Sequence, residues 1–191
     1  TGIDIHAATA SKVFNTGVAE VSREQRSQAK AVNFGIIYGQ SAFGLSQTLG
    51  IPRKEAKAII DSYFEQYPTI KKYMENVVAQ SRDKGYVETL LKRRRYLPDI
   101  NSTNAIVRGY AERNAINAPI QGSAADQTKK AMIDVFKEGI TPLIQVHDEL
   151  DISVYSEEQK KKVIEIMQSA VPLKVPCKVD CEVGPSWGEI E

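Results

Sequence analysis

The sequence predicts an α+β protein, with a helical portion over about residues 1–105 ahead of an α+β portion built on a small antiparallel sheet. Two observations predict it. Helix start and stop signals recur through the first hundred residues, and period-two alternation dominates only later, at 143–154 and 174–183. No repeat, low-complexity tract or flexible linker separates the portions.

The elements follow in order. Residues 4–16 read as a short helix. Ser22-Arg23-Glu24-Gln25 is a capping box, with Ser22 as N-cap and Gln25 at N3. It opens a helix through about Tyr38, which Gly39 can close. Pro52 sits near the start of a helix over Arg53 to Gln66. Pro68 starts the next, which Lys84-Gly85 stops. Tyr86–Leu91 alternates like a strand. Residues 104–118 read as a helix ending before Pro119, because a residue preceding proline is pushed out of the helical region. Another helix runs from about Gly122 to Glu138. Leu143–Val146 and Leu150–Val154 read as two strands of a hairpin, with His147-Asp148-Glu149 as its turn. Ser156–Gln159 is a second capping box for a helix to about Ala170. Lys174–Val183 reads as a last strand, with Val175, Cys177, Val179, Cys181 and Val183 on one face.

The chain has 191 residues, 42% hydrophobic and 26% charged. That size buries roughly 70% of the unfolded surface, so it needs no disulfide staples. The composition excludes disordered, collagen-like and coiled-coil classes. No apolar run approaches the ~20 residues of a membrane span, and no signal peptide opens the chain. Cys177 and Cys181 lie ~13 Å apart if they share a strand face, too far for a bridge. They read as buried thiols of a reducing cytosol, and Trp187 reads as a packing anchor. The net charge of +1 hides an asymmetry. Residues 1–130 hold 19 Lys/Arg against 12 Asp/Glu, whereas residues 131–191 hold 6 against 12. A basic and an acidic end suit a protein that holds a polyanion on one side and metal ions on the other.

Three constellations carry chemistry. Arg26, Lys30, Phe34 and Tyr38 recur every four residues, and each step drifts ~40° around a helix, giving a spiralling stripe. Two cations one turn apart can grip a triphosphate, and an aromatic beyond them can stack on a base or sugar. Gly35 and Gly39 leave room beside the aromatics for a flat group. A surface helix with snorkelling cations is the structural alternative. Next, His147-Asp148-Glu149 sets adjacent carboxylates in a tight turn, a hard-oxygen set that suits Mg²⁺. A polar turn is the alternative, although Asp-Glu is not a favoured hairpin dipeptide like Asn-Gly. Third, Arg113, Asn117 and Gln121 are donors at four-residue steps. They could reach the purine N3 and pyrimidine O2 acceptors of a minor groove, or serve only as caps and surface hydrogen bonds. Lys92-Arg93-Arg94-Arg95 fits phosphate contact and a solvated turn equally. His6 alone reads as structural. No P-loop, dinucleotide fingerprint or zinc spacing is present.

Together these stretches resemble the polymerase domain of family A DNA polymerases. The resemblance runs from Asp4-Ile5-His6-Ala7-Ala8-Thr9-Ala10 to Gly184-Pro185-Ser186-Trp187. It is carried by Arg26-x-x-x-Lys30-x-x-x-Phe34-x-x-x-Tyr38-Gly39 and by Val146-His147-Asp148-Glu149. Gly85–Leu90, Tyr96–Ile100 and Asn117-Ala118-Pro119-Ile120-Gln121-Gly122 are also family-like.

The resemblance implies a helical fingers subdomain, 1–107, and the carboxy-terminal part of a palm subdomain, 108–191. It implies that His6, Arg26, Lys30, Phe34 and Tyr38 bind the incoming nucleotide. Arg26, Lys30 and His6 would take the triphosphate, Phe34 the sugar and base, and Tyr38 a place beside the template base. It further implies that Arg113, Asn117, Gln121 and His147 contact primer-template DNA, and that Asp148 and Glu149 hold metal. Asp148, Glu149 and Lys30 form the catalytic set, and two Mg²⁺ ions serve the complete enzyme. The family's second catalytic Asp and its ribonucleotide-excluding Glu belong just upstream of residue 1. The chain alone is therefore expected to be an inactive fragment whose partners are DNA, deoxynucleoside triphosphates and the upstream part of the same polymerase. No membrane is implied, and the place of action is the bacterial cytoplasm or a phage-infected cell. The alternatives are a fragment of a single-subunit RNA polymerase, which has a related nucleotide helix, and a non-catalytic DNA-binding module.

Overall fold

The computed structural model describes residues 4–189. The fold is α+β, mostly helical, with two separate two-stranded sheets. The described residues form two compact units. One comprises residues up to Val87 with Tyr96–Asn117, the other Glu88–Arg95 with residues from Ala118 onward.

The first unit begins with α1, Ile5–Val13. Asp4 caps it, its Oδ1 accepting from the His6 and Ala7 amides at 2.9 and 3.1 Å. α2, Arg23–Ile37, opens on the expected reciprocal capping box. The Gln25 amide donates to Ser22 Oγ, and the Ser22 amide donates to Gln25 Oε1. Its buried residues are Ala29, Val32, Asn33 and Ile36, at the spacing of one helical face. Val32 and Ile36 join Leu45, Ala56 and Tyr63 in the core. Each fully buried side chain of this kind stabilises by ~1.5–3 kcal/mol. The stripe from Arg26 to Tyr38 is thereby turned away from the core.

α3, Ala42–Leu49, was missed in the sequence, although Ser41 caps it and Gly50 ends it at φ +66. α4 spans Arg53–Gln66 and α5 Pro68–Lys84, with Gly85 in the left-handed region at φ +76. Both match the expected bounds.

The predicted strand at 86–91 is shorter, and its partner was unforeseen. β1, Tyr86–Glu88, pairs with β2, Arg94–Tyr96. The chain turns back through Lys92, which adopts φ +68.

The two helices predicted on either side of Pro119 are one. α6 runs unbroken from Ala105 to Lys137 with Pro119 inside it. Pro119 has no N–H for the Ala115 carbonyl, and the Ser123 hydroxyl donates to the Pro119 carbonyl. The helix continues through the position despite the local preference against helix before proline.

In the second unit, β3, Pro142–Val146, pairs antiparallel with β4, Glu149–Ile152. Val146 faces Glu149, so the turn is His147-Asp148 and Glu149 already belongs to the strand. α7, Glu157–Ser169, follows its Ser156 cap. Here the box is altered. Ser156 Oγ accepts from the Gln159 amide, but the Gln159 side chain accepts from Tyr155 rather than Ser156. Val135, Ile140 and Val163 form this unit's core with Ile152, Ile166 and Met167.

The predicted last strand does not form: 174–183 holds no strand among the described residues. Pro176 lies inside it, and an extended segment becomes a strand only where a neighbouring edge takes its hydrogen bonds. Cys177 and Cys181 are free thiols, half-buried and exposed rather than buried, and Cys177 Sγ accepts from Gln127 Nε2 at 2.9 Å. Trp187 is 60% exposed, so it is no packing anchor.

Candidate functional site

In the first unit, the four-residue stripe of α2 lies beside the start of α1. Arg26 Nε donates to Asp4 Oδ2 at 2.6 Å. The same carboxylate caps α1, so one side chain ties the first turns of both helices. The Arg26 guanidinium holds the Asp4 carboxyl below its ordinary range, helped by the Ala7 and His6 amides. An arginine carries five N–H donors, and this pair uses one.

Further along α2, Lys30 Nζ stands 6.0 Å from the Phe34 ring centroid. Phe34 is 41% exposed. Tyr38 stacks on it at 5.9 Å and 27°. From α1, the His6 ring approaches Phe34 at 6.0 Å and 42°. His6, Phe34 and Tyr38 thus form a continuous run of rings, with Lys30 beside its central member, Phe34. The structure brings together all five residues expected to bind a nucleotide.

The room expected at the two glycines is already filled. A Cβ at Gly35 would lie 2.0 Å from Gln40 Oε1. At Gly39 it would lie 3.2 Å from Arg113 Cγ and 3.7 Å from Ile116 Cδ1. Gly39 also needs its φ of +76, so its role is to end α2 and let the stem of Arg113 lie against it.

Arg113, Asn117 and Gln121 all lie on α6, so Gln121 follows the other two on the same helix rather than in a loop. Arg113 and Gln121 are exposed. Asn117 Oδ1 is buried with no hydrogen-bond partner among the described residues.

In the second unit, the hairpin places His147, Asp148 and Glu149 at its tip, all exposed. His147 adopts φ +54, a region non-glycine residues seldom occupy. Gln145 Nε2 donates to the His147 carbonyl at 3.0 Å and braces the turn. Asp148 and Glu149 line a cavity of about 480 Å³ with Gln127, Lys160 and Cys177 among its walls. Among the described residues, no three His, Cys, Asp or Glu side chains gather at one point. Two adjacent solvent-facing carboxylates nevertheless suit a hard divalent cation that keeps several waters and takes its remaining ligands from elsewhere.

The four-cation run divides. Arg93 bonds the Gly122 carbonyl at 3.1 Å and pairs with buried Asp126 at 2.6 Å. Arg94 pairs with Glu88 at 3.0 Å. The Leu90 amide donates to Ser123 Oγ at 2.9 Å, and a Cβ on Gly122 would meet Thr89 Cγ2 at 2.7 Å. Arg93 is therefore a fastener between the 88–95 segment and α6. Sequence reasoning missed this pairing, because Arg93 and Asp126 are far apart in the chain. It also missed Asn33, whose signal was legible: a polar side chain on the apolar face of α2.

Comparison with known proteins places the chain in a family. The family described as DNA polymerase family A matches residues 1–189. DNA polymerase I of Geobacillus stearothermophilus is 52% identical over 97% of this chain, and that of Bacillus subtilis 53% over 97%. In each case the chain spans 22% of the relative's length. The polymerase domain of Pol1 from M. smegmatis, solved with DNA primer-template and dNTP, matches with a TM-score of 0.83 at 45% identity. It covers 92% of this chain and 32% of its own. The chain belongs to the family A DNA polymerases.

Proposed function

We propose that this chain supplies the nucleotide-binding fingers and a carboxy-terminal part of the palm of a template-directed DNA polymerase. The observation that carries this is the α2 stripe, with Arg26, Lys30, Phe34 and Tyr38 in line and His6 brought against Phe34 from α1. Exposed rings with cations on the same helix suit a molecule that carries both a flat base and phosphates.

Arg26 and Lys30 hold the triphosphate of an incoming deoxynucleotide, and His6 donates to it. Lys30 also neutralises charge that develops on the departing pyrophosphate. Phe34 stacks near the sugar and base, and Tyr38 lines the insertion site beside the template base. Arg113, Asn117 and Gln121 contact the primer-template minor groove without reading sequence, because its acceptors recur in every correct pair. His147 positions the primer terminus. Asp148 and Glu149 hold Mg²⁺, with a further carboxylate from a preceding palm segment. When two Mg²⁺ ions are bound, they activate the primer 3′-hydroxyl and stabilise the leaving pyrophosphate. The protein's share is positioning and charge neutralisation. Fingers 1–107 and palm 108–191 follow the motif boundaries of this reading, and its place is the cytoplasm of a bacterial cell.

The test is Mg²⁺-dependent primer extension. This chain is compared with a chimera in which it replaces the matching segment of the Bacillus subtilis relative. The chimera is expected to extend primers and the chain alone is not. Extension by the chain alone would show that the second carboxylate lies within these residues.

A further inference from the structure

We infer that Asn33 is a positioning residue that fixes the tautomer and orientation of His6, so that His6 turns its Nε2–H toward the phosphates of the nucleotide. This rests on the nucleotide-binding reading above and adds a residue to it.

Asn33 is 2% exposed, on the otherwise apolar face of α2. Its Nδ2 lies 3.0 Å from His6 Nδ1 and 3.5 Å from the Ile5 carbonyl oxygen. Its Oδ1 lies 2.9 Å from Thr9 Oγ1, which lies equally close to the Ile5 carbonyl oxygen. These neighbours decide which way the amide faces. The Ile5 carbonyl can only accept, so the edge beside it is the NH₂ group. The Thr9 hydroxyl lies at the opposite edge, 2.9 Å from both Asn33 Oδ1 and the Ile5 carbonyl oxygen, and as donor or acceptor it can meet that edge. With the NH₂ group toward His6, Nδ1 must offer a lone pair. The proton of the neutral imidazole is then on Nε2.

The alternative tautomer would present a lone pair at Nε2, and a phosphate oxygen would meet an acceptor instead of a donor. Free imidazole populates both forms, and its ring turns about its own side-chain bonds. Here the ring is held at one edge by the Asn33 amide and packs against Phe34 at 6.0 Å. Such an arrangement spends no binding energy on choosing a proton position or a rotamer when the nucleotide arrives. A buried asparagine also stands where α2 otherwise packs apolar residues. An aliphatic side chain of the same volume would serve packing alone, so the amide is there for what it bonds.

The experiment is a double-mutant cycle in the chimera, reading KM for the incoming deoxynucleotide and kcat separately. His6→Ala is expected to raise KM by about tenfold, the scale of one hydrogen bond to a charged group. Asn33→Leu, which keeps the volume and removes both hydrogen-bonding edges, is expected to raise KM three- to fivefold with kcat little changed. Thr9→Val, which removes the hydroxyl shared between the amide and the Ile5 carbonyl, is expected to do so by about twofold. Combined with His6→Ala, neither change raises KM further. If Asn33→Leu multiplies KM equally with and without His6, Asn33 acts on the fold and the inference is overturned. If Asn33→Leu does not fold, Thr9→Val decides by the same comparison. Should His6→Ala leave KM unchanged while the chimera extends primers, the assignment of His6 falls, and this inference with it. A chimera that incorporates no deoxynucleotide defeats the underlying reading instead.

Discussion

The α2 stripe and the β3–β4 hairpin carry the two halves of the proposed chemistry and are built in opposite ways. On the stripe, the functional side chains are braced by one another and by the start of α1. Arg26 leans on Asp4, Lys30 on Phe34, Phe34 on Tyr38, and His6 on Asn33. At the hairpin, Asp148 stands exposed on the two-residue turn and Glu149 at the first position of β4, and Gln145 braces the turn through the His147 carbonyl. Cations and rings can be organised by contacts within one unit. Adjacent carboxylates repel each other and are organised only by the ion they share. The stripe is braced from within its own unit, whereas the hairpin tip faces solvent.

That contrast is broken most decisively at the hairpin. Asp148→Ala in the chimera is expected to lower primer extension by about a thousandfold or more, the several kcal/mol that a catalytic metal supplies. The thermal midpoint should scarcely move. A residual rate near wild type would show that the carboxylate is not a metal ligand. The stripe should respond more gently. Lys30→Ala is expected to lower kcat/KM by about a hundredfold, the scale of a charge-assisted hydrogen bond to phosphate. Steady-state kinetics at saturating and limiting nucleotide would detect it.

Arg93→Ala separates a structural cation from the functional ones. Removing it leaves buried Asp126 without its ion pair, and unfolding free energy is expected to fall by ~1–3 kcal/mol. The KM for nucleotide should hold constant, and denaturant titration with kinetics checks both. Phe34→Tyr keeps the ring and adds one hydroxyl where the sugar is expected. The family resemblance implies that dideoxynucleotide discrimination then falls, and competition assays would contradict this if both proteins discriminate equally.

The smallest effect belongs to Asp4. Its folded-state pKa lies below the ordinary carboxylate value, so its contribution is present above that ordinary value. It is lost as pH falls through the depressed one. Acid unfolding of Asp4→Asn should accordingly converge with wild type at low pH and differ slightly at neutral pH.

How much of this was legible in the sequence varied with the range of the forces involved. α4 and α5 were readable to the residue because Pro52, Pro68 and Gly85 act on their own turns. The Ser22 box and the stripe were readable for the same reason. Pro119 misled because a single missing N–H does not end a helix whose remaining turns keep their hydrogen bonds. The alternation of 174–183 misled because a strand is a property of two segments, and period two names only one. Room at Gly35 and Gly39 was misread because the residues that fill it, Gln40 and Arg113, were not part of the helical pattern. Within the site, side-chain identities were visible and their internal partners were not. Asn33 and Asp126 act across folds of the chain that no spacing reveals.

The Arg26–Asp4 pair has a consequence for ionic strength. A stripe with two bare cations would attract a triphosphate through two units of positive charge, and added salt would erode that attraction steeply. Here one of those charges already has a carboxylate 2.6 Å away. Seen from beyond a Debye length, the phosphate end of the stripe presents a net of about one charge. On the proposed reading, the affinity for nucleotide should therefore decline with added salt as a single-cation site does, although two cations are assigned to the phosphates. Counterions displaced on binding would number fewer than the contacts made, leaving the proposed nucleotide step tolerant of salt.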